Sequence, residues 1–162
     1  MVTPTFALPD EHATMALGAA LAACLEPGDA VHLHGDLGAG KTTLVRGAVR
    51  ALGHRGPVKS PTYALVELYE LSRLDLHHFD FYRFNDPREW IDAGFRESFG
   101  GRTVTLVEWP ERAGGLLPPP DLDITLLPHG DGRIASFTSR SPRGLTLRDC
   151  LASRRSSFSP AP

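Results

Sequence analysis

The chain has 162 residues, 41% hydrophobic and 22% charged, and a formal net charge of −2. That length suits one domain able to bury a real core, and the composition is that of an ordinary soluble globular protein. The charge gives no global attraction to nucleic acid, no stretch approaches a transmembrane span, and an acidic pair (Asp10, Glu11) stands near the N-terminus rather than a signal peptide.

A short strand is expected over Thr3–Leu8. A helix then starts behind Asp10 as N-cap, with Glu11 in its first turn, Leu17, Leu21 and Leu25 as its apolar stripe, and Pro27-Gly28 as its stop. Ala30–His34 has β character. Gly35-Asp36-Leu37-Gly38-Ala39-Gly40-Lys41-Thr42-Thr43 follows, a complete G-x-x-x-x-G-K-[ST] phosphate-binding loop. Glycines at 35, 38 and 40 let successive N–H groups turn toward one anion. Lys41 can reach the β- and γ-phosphates, and the Thr42 hydroxyl can ligate Mg²⁺. Leu44, Val45, Ala48, Val49 and Leu52 share one helical face opposite Arg46 and Arg50, and Gly53 suits the stop. Strand, loop and helix aim a helix N-terminus at a phosphate, so a nucleoside triphosphate is expected here.

A polar loop leads to Ser60-Pro61-Thr62-Tyr63. Two strand-like runs, 64–71 and 74–82, meet at Ser72-Arg73 as a hairpin. A short helix is expected over Pro87–Ile91, and Thr103–Trp109 is the most strand-like segment of the chain. Beyond the prolines at 118–120, runs 121–127 and 133–139 flank a His129-Gly130-Asp131-Gly132 turn, forming a second hairpin. A helix from Ser141 would carry Leu145, Leu147 and Leu151. The pattern predicts an α/β fold: a single P-loop NTPase-like domain over residues 1–152, with a small central sheet, parallel core strands and antiparallel additions. Residues 153–162, rich in serine, arginine and proline, are expected to be disordered.

Hydrolysis needs metal ligands and a group that responds to the γ-phosphate. Glu108 closes an apolar strand, at the carboxyl end where α/β sheets bind ligands. Asp80 lies in the aromatic run His77–Tyr82, where a charge is unexpected without a partner, although strand alternation could turn it outward. Thr62 is either a switch-like γ-phosphate sensor or part of an ordinary β-entry turn. His77 and His78 are adjacent and point to opposite faces of a strand. His32 and His34 share a face, but no cysteine or carboxylate sits at ligand spacing nearby, so structural zinc is not expected. Cys24 and Cys150 have no C-x-x-C or framework spacing and read as small buried hydrophobes in a reducing compartment, which points to the cytoplasm. Arginines 140, 143, 148, 154 and 155 make the C-terminal end locally basic: a solvated face or tail, or a contact with RNA phosphates or an acidic partner.

Four motifs in order, the P-loop, Val58-Lys59-Ser60-Pro61-Thr62-Tyr63, His78-Phe79-Asp80-Phe81-Tyr82-Arg83 and Val107-Glu108-Trp109-Pro110, resemble the bacterial TsaE (YjeE) family. The Pro9-Asp10-Glu11 start adds to the match. Residues 111–139 resemble the family loosely and the chain after Arg140 does not. The resemblance implies an ATPase of tRNA threonylcarbamoyladenosine biosynthesis, with ATP and Mg²⁺ as cofactors and the transferase TsaD and its paralogue TsaB as partners, tRNA being engaged only indirectly. It implies that Gly38, Ala39, Gly40, Lys41, Thr42 and Thr43 hold the phosphates, and that Thr42 and Glu108 hold Mg²⁺. Asp80 would act near the metal or the attacking water, Thr62 in a switch-like loop, Trp109 beside the site and Glu11 near the adenine. A small-molecule P-loop kinase is the alternative, with Arg55 as its thin candidate for a lid arginine.

Overall fold

The computed structural model describes residues 4–86, 88–89 and 94–161. The helix expected over 87–91 lies largely outside these residues. The chain opens with β1 (Thr5–Leu8) and α1 (Glu11–Cys24), and the Asp10 carboxylate caps α1 by accepting from the Ala13 N–H at 2.9 Å. Next come β2 (Ala30–His34), α2 (Lys41–Ala51), and the hairpin of β3 (Val66–Glu70) and β4 (Asp75–Asp80). β5 (Thr103–Glu108) is followed by a 3₁₀ segment, Pro110–Leu116. A second hairpin, β6 (Leu122–His129) and β7 (Gly132–Ser139), precedes α3 (Pro142–Ser153), which Ser141 caps through Gly144 N–H.

Among the described residues, seven strands form one sheet in the order β1-β7-β6-β2-β5-β4-β3. β6, β2, β5 and β4 run parallel, while β1, β7 and β3 join antiparallel. This is the P-loop architecture expected, with its parallel centre built from the apolar runs of β2, β5 and β6. Alternation along those strands gives the sheet two distinct faces. Val31, Leu33, Val104, Leu106 and Ile124 join α1, α2 and α3 in the larger core. Val107, Phe79 and Phe81 face the other way, into a second cluster with Phe84 and Ala113.

α1 and α2 cross at two glycines. A Cβ on Gly18 would stand 2.0 Å from the Leu44 carbonyl oxygen, and one on Gly47 would stand 2.0 Å from that of Met15. Helix propensity favours alanine at either position by about 1 kcal/mol, but a clash with backbone cannot be relieved by a rotamer change, and overpacking costs about 1–3 kcal/mol or more. The clash wins. Gly18→Ala is therefore expected to lower the melting temperature by roughly 5–10 °C, given about 2–4 °C per kcal/mol for a domain this size. An unchanged melt by circular dichroism would contradict this packing.

Two sequence expectations are corrected at the far end of this core. Cys24 and Cys150, expected as free thiols, are joined by a disulfide across 126 positions, because the last turn of α1 lies beside α3. Sequence spacing carries no sign of that proximity, and the pairing removes the reduced-cysteine ground for a cytoplasmic assignment. Closing so long a loop is worth roughly 3–5 kcal/mol in the chain-entropy account. Urea denaturation of the Cys24→Ala/Cys150→Ala variant should show a loss of that size; a loss below about 1 kcal/mol would contradict it. The tail expected to be disordered instead packs. Arg155–Ser157 forms a 3₁₀ turn, and Phe158, 4% exposed, sits against Phe6 and Phe137 with ring centroids 5.9 and 6.4 Å away. One aromatic ring in a polar tail supplies the apolar area that holds it.

Two of the five arginines of the basic C-terminal end are engaged by internal carboxylates. Arg143 grips both oxygens of Asp29 at 2.8 Å, which ties the start of α3 to the turn before β2, and Arg140 pairs with Asp123.

Candidate nucleotide site

The P-loop joins β2 to α2 with its glycines in the left-handed region that side chains disfavour: φ is 80° at Gly38 and 106° at Gly40. Gly40 is the N-cap of α2 and offers no side chain, so the helix's first N–H groups face the loop's concavity, the arrangement that favours an anion. Arg133, from the start of β7, donates to the carbonyls of Gly38 (2.9 Å) and Ala39 (3.0 Å). These carbonyls are thereby occupied from outside. Sequence reading gave Arg133 no role; its only signal was an arginine directly after a tight turn.

Lys41 is almost fully buried. Its ammonium donates to the Gly35 carbonyl at 2.5 Å and lies 3.9 Å from the centroid of the Trp109 ring. Burial pulls its pKa below the usual lysine value, opposed by the charges of Glu108, Asp80, Glu111 and Asp36. Trp109 is placed for this contact by an unusual backbone, φ 56° and ψ 47°, where β5 turns into the 3₁₀ segment.

The carboxylates expected at the site are adjacent. β4 and β5 pair in parallel so that Asp80 and Glu108 are register partners, both delivered to the carboxyl ends of their strands. Glu108 Oε2 accepts from the Thr42 hydroxyl at 3.1 Å and lies 2.6 Å from His78 Nε2, in a pair with both side chains buried. Asp80 also points inward. Its Oδ2 accepts from Ser60 Oγ (2.5 Å) and Thr62 Oγ1 (3.2 Å), and its Oδ1 accepts from the Tyr82 N–H. Thr62 is thus held on the carboxylate of β4, and Tyr63 beyond it accepts from Arg83 at 2.9 Å. Ser60, expected only as part of the Thr62 loop, and His78, considered only as a zinc ligand, hold Asp80 and Glu108 directly.

Two clefts flank the loop. One, of about 350 Å³, runs from Gly38–Thr43 to Ser60, Thr62, Asp80, Glu108 and Trp109. The other, of about 320 Å³, runs from Gly38–Gly40 and Thr43 to Asp10, Glu11, Thr14 and Arg133. Every residue expected at the site therefore lines one of two spaces that share the P-loop. Glu11 stands at the outer rim, exposed, with Arg46 3.9 Å away. Arg55 lines a separate depression with Arg50, Gly53 and His54.

The family model described as "Threonylcarbamoyl adenosine biosynthesis protein TsaE" matches residues 8–135. The chain belongs to the TsaE family. Among similar proteins, the Haemophilus influenzae tRNA threonylcarbamoyladenosine biosynthesis protein TsaE is 41% identical over 145 residues, covering 86% of this chain and 92% of the relative. The Bacillus subtilis protein of the same name is 41% identical over 127 residues, covering 78% and 79%. The crystal structure of Bacillus subtilis YdiB superposes with a TM-score of 0.80 at 31% identity, covering 94% of this chain and 96% of that one. The TsaE match thus includes α1, the P-loop and both carboxylates, and ends inside β7, short of α3 and the Phe158 anchor.

Proposed function

We propose that this chain is an ATP-binding, slowly hydrolysing subunit required for N6-threonylcarbamoyladenosine modification of tRNA at A37. In this reading it acts as a nucleotide-dependent switch on a TsaD-like transferase and its TsaB-like paralogue. Membership of a threonylcarbamoyladenosine biosynthesis family supports the pathway. The observation that carries the reading is the continuity of one cleft, from the P-loop to Glu108 and on through Asp80 to the Thr62 loop.

The residues present fit a magnesium ion. Thr42 and Glu108 offer a hydroxyl and a carboxylate oxygen 3.1 Å apart, the hard donor set that Mg²⁺ prefers, with Asp80 on the neighbouring strand. Bound there, the ion would neutralise charge on the β- and γ-phosphates. The chain's own groups do the rest. Backbone N–H groups of residues 38–43 cradle the phosphates, and Lys41 exchanges the Gly35 carbonyl for phosphate oxygens. Asp80 accepts a hydrogen bond from the attacking water, and Thr62, anchored on that carboxylate, shifts with the γ-phosphate. His78 holds the Glu108 carboxylate in place from behind.

Glu108→Gln preserves volume but removes the charge. The Mg²⁺ concentration that half-saturates hydrolysis should rise by about tenfold or more, a charged ligand being worth at least 1.4 kcal/mol. A variant that keeps the wild-type Mg²⁺ titration curve removes Glu108 from the metal site. The kinase reading loses its lid residue, because Arg55 lies off the phosphate cleft. Phosphate release measured without acceptor and against an acceptor panel tests the choice. Acceptor-independent release supports an ATPase, while stoichiometric phosphorylation of a metabolite overturns it.

A further inference from the structure

On the sheet face opposite the P-loop helices, three potential ligands converge that the nucleotide site does not use. His32 and His34 lie two apart on β2 and share a face. Asp123, the parallel register partner of His32, comes from β6, 91 positions along the chain from it. One ligand atom from each lies within 4.8 Å of the other two. The missing carboxylate that argued against zinc in the sequence is thus supplied by strand pairing.

We infer that His32, His34 and Asp123 form a binding site for a divalent transition-metal cation of the zinc class. Two imidazoles and one carboxylate are a donor set for such ions, with water free to complete the coordination from the open side. His32 is 7% exposed and its Nε2 has no hydrogen-bond partner, a costly state for a buried polar atom unless a ligand satisfies it. Asp123 Oδ2 accepts from Arg140 at 2.5 Å, which orients the carboxylate and leaves Oδ1 toward His34. Binding would replace the 2.8 Å His34–Asp123 hydrogen bond by two metal–ligand bonds, needing an opening to about 3.3 Å for tetrahedral bonds of about 2.0–2.1 Å. The site borders a cleft of about 300 Å³ below the Pro118–Pro120 run, which gives the ion a path from solvent. Occupancy would clamp β2, the strand that enters the P-loop, to β6.

The test is calorimetric titration of Zn²⁺ into chelator-treated full-length protein with its disulfide intact and excess Mg²⁺ present. Cobalt is substituted for zinc to read coordination from its visible spectrum. One equivalent with micromolar or tighter affinity is expected. His34→Ala and Asp123→Asn should each weaken binding by about 100-fold, and Arg140→Gln, which frees the Asp123 carboxylate to turn, should weaken it by about tenfold. His34 is about one third exposed, so its removal is expected to leave the fold in place. Absence of one-equivalent binding, or a wild-type isotherm in both ligand variants, overturns the inference. A His34–Asp123–Arg140 hydrogen-bond network that only stabilises the sheet would show melting changes in these variants but no zinc heat and no cobalt band.

Discussion

Lys41→Ala should weaken ATP binding by about 100-fold or more and leave the fold intact. A charge-assisted hydrogen bond to phosphate is worth about 1.5–3 kcal/mol, and the ammonium is placed to reach two phosphates. Without nucleotide, the same ammonium is held by the Gly35 carbonyl and the Trp109 ring. Losing those contacts costs stability, but removing a buried cation returns its desolvation cost, visible in the lowered lysine pKa. The two nearly offset, so the melt should move by only a few degrees while the ATP isotherm collapses. Wild-type affinity in a folded Lys41→Ala protein would take the phosphates away from this loop.

Asp80→Asn should lower kcat by about 100-fold and change ATP affinity by no more than about threefold. The carboxylate is buried and held on both oxygens, by two hydroxyls from the Ser60–Thr62 segment on Oδ2 and by one backbone N–H on Oδ1, which leaves Oδ1 an acceptor site for water. Asparagine keeps the shape and an acceptor oxygen, and the hydroxyls can rotate to accept from its NH₂, so the loop stays docked. What disappears is the negative charge facing the attacking water, an effect confined to the transition state, which lowers kcat with little change in KM. A rise in KM with kcat unchanged would make Asp80 a binding group only.

The local half of this site was legible in the sequence. The P-loop, its strand and its helix are contiguous, and their periodicities, caps and glycines state their own geometry. The hairpin of β3 and β4 and the apolar run ending at Glu108 were equally local. Strand order was not legible, and with it went every contact that depends on lateral pairing. The adjacency of Asp80 and Glu108 could be expected from strand ends but not their register. Arg133 on the P-loop carbonyls, Asp123 beside His32, and Cys24 joined to Cys150 all connect positions about ninety or more apart, where spacing carries no information. The tail shows a different limit. Its composition reads as disorder, yet Phe158 against Phe6 and Phe137 outweighs that composition by burying one ring.

The central claim is that the Thr62 loop reports the nucleotide state to partner proteins. A ligand shifts an equilibrium only through differential contacts in the two states, so ATP and ADP must differ at that loop for the switch to work. The direct measurement is phosphate release by the purified chain, alone and with the TsaB–TsaD pair, alongside partner capture in ATP, ADP and nucleotide-free conditions. Slow release alone, clear stimulation by the pair and capture that differs between ATP and ADP are the predicted results. Full-rate hydrolysis without partners, together with identical capture in all three conditions, would contradict the account.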